Sequence, residues 1–183
     1  MKTLTPENWL QLDDTLDAFF AVSPAGIAPV GPQIWTTAIL EHQLPGHVPQ
    51  GVRSLYDSGR AAICYGAFYY PLYTAGLELL TRALEAAVTA FADGKVSPAP
   101  GQERRFDFNA KINALKKAGL LNAEAAQRWH GLREFRNYSL HADNQSLLPP
   151  AAIIDMLGTL TSEITTLFAG QAVPASSAGR VTR

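Results

Sequence analysis

Arg133, Arg136, Asn137, His141 and Asn144 fall within a dozen residues of one another. Their types suit chemistry at a phosphate. An imidazole with an ordinary pKa of about 6.5 can take or give a proton near neutrality. Arginine presents a planar fork of donors that stays charged, which fits an oxygen on which negative charge develops. Asn137 is placed to orient His141 or to donate to the phosphate. These parts suffice to cleave RNA through its own 2′-hydroxyl without a metal, and DNA, lacking that group, would be inert. The same residues also fit an ordinary polar helix face, with Arg136 paired to a carboxylate such as Glu78 or Glu85 and His141 capping carbonyls at a helix end. On these residues alone both readings stay open.

A helix must position the set. At helical spacing Arg133, Asn137, His141 and Asn144 form one polar stripe, while Leu132, Phe135 and Ala142, with Ala125, occupy the opposite arc and pack inward. Arg136 lies to one side, near Trp129 and Leu140. Arg136 and His141 stand about 140° apart on an ideal helix. They meet if the helix bends or ends near His141, or if two copies of it face each other across a dimer. The second arrangement makes homodimerisation part of the chemistry. His130 is expected to do no more than contact Glu134 one turn on.

The rest of the chain narrows the class. Its 183 residues allow one domain with a sizeable core, and 47% apolar with 17% charged residues is a soluble globular composition. The single cysteine, Cys64, excludes an intramolecular disulfide and fits a reducing compartment. Cys64 sits among apolar neighbours and reads as a core residue. No secretory signal is visible at the N-terminus, and the apolar stretch from Ala61 to Leu80 is broken by Pro71 and Glu78, so a buried helix is expected there and no membrane span. The expected location is cytoplasmic. His42 and His47 are separated by a Pro-Gly turn with no third ligand nearby; no metal and no cofactor are expected. The net charge is −1, but residues 102–136 carry eight Lys/Arg against four Asp/Glu, a local +4 that ends on the opening set. Such asymmetry points to a polyanionic partner or to a solvated helical surface. Arg104, Arg105, Lys111 and Arg133 are its candidate RNA-binding residues.

In chain order, Thr5-Pro6-Glu7 reads as a helix start, with Trp9, Leu10, Leu12, Leu16, Phe19 and Phe20 at helical spacing up to Val22. Ser23 to Pro32 is rich in proline and glycine and reads as a loop. A short helix is expected over Ile34 to Gln43. Residues 49–92 are helix-compatible throughout; Pro71 is the natural break, and Gly59, Gly66 and Gly76 permit close helix contact. The aromatic run from Tyr65 to Tyr73 reads as core, with a small-molecule pocket as the remote option. A further helix places Phe108, Ile112 and Leu115 on one face and closes at Gly119. Asn122 caps the helix that bears the opening set, and Ile153 to Phe168 forms the last. No strand alternation stands out, so the fold class is all-α.

Arg136, Asn137 and His141, as Arg, polar residue, three spacers and His, resemble the R-x4-H signature of the HEPN superfamily. Further blocks follow in the same order: Leu44-Pro45 through Val52-Arg53 and Tyr56, Gly76-Leu77-Glu78 to Arg82 and Glu85, then Lys111-Ile112, Leu115 and Gly119. They resemble a HEPN subgroup found free-standing and fused to type I restriction subunits. The resemblance implies an antiparallel helical bundle over residues 44–168; residues 1–43 fall outside it and read as an N-terminal helical extension from their spacing, and 169–183, rich in small residues, read as a disordered tail. It further implies a homodimer, metal-independent endoribonuclease activity or RNA binding, with Arg136, His141 and Asn137 as catalytic residues, and a partner from a toxin–antitoxin or restriction system. HEPN proteins that only bind or scaffold make a non-catalytic dimerisation or interaction module the alternative.

Overall fold

The computed structural model describes residues 2–23, 26–29, 31–98, 100–101, 103–139 and 149–170. Among these residues six α-helices make up the body: α1 (Pro32–Glu41), α2 (Gln50–Tyr65), α3 (Pro71–Ala92), α4 (Phe108–Lys117), α5 (Ala123–Ser139) and α6 (Pro150–Phe168). The fold is all-α in its core, with one small hairpin near the N-terminus.

Helix α3 is the axis of the bundle and packs against α2, α4, α5 and α6. Its sequence explains this role. Tyr73, Leu77, Leu80, Leu84, Val88 and Phe91, interleaved with small Ala83 and Ala87, leave it buried on most of its circumference. Pro71 occupies the first turn of α3, where its missing N–H costs nothing, so the helix-compatible stretch splits there into α2 and α3. The two helices then cross at a pair of glycines. A Cβ on Gly59 would lie 2.8 Å from Leu80 Cγ and 2.9 Å from the Gly76 carbonyl oxygen. A Cβ on Gly76 would lie 2.7 Å from the Gly59 carbonyl oxygen. Backbone meets backbone at this crossing, and only glycine leaves room for it.

Helix α4 starts at Asp107, whose carboxylate accepts from the Ala110 amide at 2.9 Å, and it buries Phe108, Ile112 and Leu115 as the spacing predicts. Its end turns at Gly119 with φ +71°. Helix α6 buries Ile153, Leu157, Leu160 and Ile164 and turns Asp155, Thr159, Ser162 and Thr166 outward. By length and composition α6 is, among the described residues, the one helix apolar enough to cross a membrane. Its apolar face is already occupied by the bundle core.

The N-terminal region departs from expectation. Residues 5–22 do not form one helix: turns are followed by a 3-10 helix, Asp14–Ala18, and by β1 (Phe20–Ser23) paired antiparallel with β2 (Gly26–Pro29). The stretch read as a loop from Ser23 thus contributes a strand, which Gly26 enters at φ +121°. The physical reason is Asp13. Its buried carboxylate accepts from the Tyr70 amide at 3.0 Å and from Thr15, and its own amide donates to the Ala67 carbonyl at 2.9 Å. This anchor fixes the chain to the α2–α3 turn and cuts the helical pattern short. Burial pushes the Asp13 pKa up, but the hydrogen bonds from Tyr70 and Thr15 outweigh it and hold the carboxyl below its ordinary value. Leu16 of the 3-10 helix and Ile39 of α1 join the main core, so these two elements pack onto the bundle. Arg60, itself buried, donates to the Leu40 carbonyl at 3.2 Å and ties the end of α1 to α2.

Candidate functional site

Helix α5 carries the opening set, and its placement begins with its cap. Asn122 Oδ1 accepts from the Ala125 amide at 2.8 Å. Ala126 and Trp129 are buried, and Leu132 and Phe135 pack against the core, which fixes the rotation of the helix. Arg128 locks that rotation, with Nε 2.5 Å from Glu163 on α6 and Nη1 3.2 Å from Glu124. On the other flank the His130 ring meets Asn113 of α4 at 3.1 Å. This contact replaces the one expected with Glu134.

With α5 so held, Asn137 is exposed and Arg133 and Arg136 are half-buried. Arg136 turns toward α3, where Nη2 donates to Glu85 Oε2 at 2.8 Å. Its Nη1 lies 3.4 Å from Asn137 Oδ1, a weak contact at that distance. Arg133 Nη2 stands 3.4 Å from Glu134. The Nε atoms of both arginines are buried and have no hydrogen-bond partner among the described residues. His141 and Asn144, with Leu140 and Ala142, lie outside the described residues, as do the helix bend proposed near His141 and residues 171–183 of the tail.

The basic segment divides between two places. Lys111, on α4, donates from Nζ to Thr89 Oγ1 at 2.9 Å. Thr89 and Glu85 are four residues apart on α3, so Lys111 and Arg136 dock on successive turns of one helix face. Arg104 and Arg105 sit in a 3-10 turn, Glu103–Arg105, ahead of α4, where both are exposed. Neither pairs with a residue of α5 among the described residues. The structure therefore brings Lys111 and Arg136 together and leaves Arg104 and Arg105 beside Phe106.

Phe106 and Lys111 border a cleft of about 680 Å³ between α2, α3 and the segment that follows α3. Sequence reasoning assigned no role to Phe106 or Thr89. The available signals were an aromatic next to two arginines and a hydroxyl one turn beyond Glu85. Cys64 is half-buried; burial pushes its thiol pKa up and Arg60 only partly opposes this, which makes it a poor nucleophile. Among the described residues no three His, Cys, Asp or Glu side chains converge to hold a metal. Tyr70 and Tyr73 are buried in the core and pack edge to face with ring centroids 5.2 Å apart.

A family model described as a domain of unknown function, DUF4145, matches residues 68–170, which run from just before α3 to just past α6. No curated protein and no solved structure matches the chain.

Proposed function

The chain belongs to the DUF4145 family, and we propose that it is a HEPN-type RNA-binding protein and metal-independent endoribonuclease of bacterial defence or toxin–antitoxin systems, acting in the cytoplasm as a homodimer. The observation that carries this reading is the pair of cations, Arg136 and Lys111, docked on successive turns of α3 through Glu85 and Thr89. Two cations spaced along one face match consecutive phosphates of a strand, and RNA affinity rests chiefly on such contacts. Arg136 would hold the reacting phosphate, Asn137 would orient it or His141, and His141 would take the proton of the 2′-hydroxyl and pass a proton to the leaving 5′-oxygen. Arg133, Arg104 and Arg105 would extend the phosphate-binding surface.

Incubating the purified protein with total RNA in EDTA tests the reading. Cleavage by the native protein and its loss in His141→Ala and Arg136→Ala variants are the expected result. Equal cleavage by all three, or none by any, would refute the catalytic role.

A second reading has one observation in its favour. The guanidinium of Arg136 already has a carboxylate partner in Glu85, as a structural arginine would. On that reading the chain is a non-catalytic dimerisation or interaction module. His141→Ala would then change oligomer mass or stability and leave any RNA signal unaltered.

A further inference from the structure

The cleft of about 680 Å³ beside Lys111 is sorted by chemistry. Val52 and Leu55 of α2 and Ala86 and Ala90 of α3 give it apolar walls, and Phe106 adds an aromatic face. Lys111 stands at the rim. Its ammonium has three donors, Thr89 accepts one, and no carboxylate lies within salt-bridge distance of it among the described residues. Asp93 is the one carboxylate among the lining residues, and it is an acceptor suited to an exocyclic amine. Outside the rim, Glu85, which holds Arg136, lies about 6 Å from Thr89 along α3, given four residues at 1.5 Å each. An apolar slot with an aromatic face therefore opens directly beside a short row of cations.

We infer that this cleft receives an unpaired nucleobase of single-stranded RNA, stacked on Phe106, while the adjoining phosphates lie on Lys111 and Arg136. The inference rests on the RNA reading above and adds to it a base-binding subsite on α2, α3 and the approach to α4. Strand-binding proteins combine these two features, a cationic track and an aromatic platform, because every base offers a π face. A purely aliphatic occupant would gain nothing from the neighbouring cations, and a duplex, whose bases are stacked inside, could not enter. The cleft has the size of ordinary ligand sites, which run from about 300 to 1,000 Å³.

Fluorescence anisotropy with a 2′-O-methyl oligonucleotide, which has no free 2′-hydroxyl for cleavage, separates this inference from the catalytic claim. The full chain is expected to bind the strand. Binding should weaken about tenfold for an abasic strand of the same length and for Phe106→Ala. Ala90→Trp, which fills the slot, should weaken it comparably, with circular dichroism reporting whether the variant folds. Lys111→Gln should weaken binding and lower its salt dependence. Equal affinity for base-bearing and abasic strands would overturn the base subsite while leaving the RNA reading intact; this comparison uses the native protein and needs no variant to fold. Wild-type affinity in both Phe106→Ala and a folded Ala90→Trp would do the same. No binding by the native protein would overturn both.

Discussion

Arg136 of α5 and Glu85 of α3 are joined at 2.8 Å across the helix interface, with both side chains partly open to solvent. The same contact serves either reading of the motif: it holds the guanidinium in place, and it occupies a donor that a phosphate would need. A partly exposed pair of this kind contributes on the order of 0–1 kcal/mol, so an RNA phosphate can compete with it. Glu85→Gln removes the competing charge and keeps a neutral acceptor. The expected outcome is severalfold tighter RNA binding at low salt, with a loss of stability of about 1 kcal/mol or less, read by anisotropy and thermal melting. A changed melting temperature with no change in RNA signal would favour the interaction-module reading.

The Gly59–Gly76 crossing sets how closely α2 approaches α3. Alanine at either position gains up to about 1 kcal/mol in helix propensity. Against this, the new methyl would press on a backbone carbonyl within 3 Å on the partner helix. Overpacking of this kind costs about 1–3 kcal/mol. Gly59→Ala and Gly76→Ala are therefore both expected to destabilise, by up to about 2 kcal/mol once the full propensity gain is subtracted, in a urea titration. A neutral or stabilising outcome at both sites would mean that the crossing is looser than it looks.

What was legible in the sequence was local. Pro71 announced the α2–α3 break because a proline lacks a donor wherever it sits. Phe108, Ile112 and Leu115 announced the buried face of α4, and Glu85 was one of two carboxylates within the expected reach of Arg136. The long-range terms were not legible. Trp9, Leu10 and Leu12 repeat as a helix would, yet all three are exposed, because Asp13 bonds to Tyr70, 57 residues away. The neighbourhood of Lys111 and Arg136 likewise follows from how α4 and α5 each dock on α3, and no spacing within residues 102–136 encodes that.

Cys64 gives a chemical check on the α2 environment. Burial raises its thiol pKa above the ordinary value, so the thiolate fraction at neutral pH is small. Its reaction with an aromatic disulfide reagent at pH 7.5 is expected to run slower than that of glutathione, and to accelerate in denaturing urea. Reaction as fast as glutathione's in the native protein would contradict the environment described for it.

The Asp13 anchor ties folding to pH. Its folded-state pKa lies below the unfolded value, so the folded chain holds the carboxylate more readily than the unfolded chain. Its contribution is fully present above the unfolded pKa of about 3.9 and is lost as pH falls through the lower folded value. The protein should therefore lose stability below about pH 4, and part of that loss should disappear in Asp13→Asn, which has no carboxylate to protonate. At pH 7, Asp13→Ala should cost about 1–3 kcal/mol, since it leaves the buried Tyr70 amide without this acceptor. Urea titrations of the three proteins at pH 3.5 and pH 7 measure both effects. If Asp13→Asn loses as much stability on acidification as the native chain, the acid sensitivity lies elsewhere and the anchor contributes nothing to it.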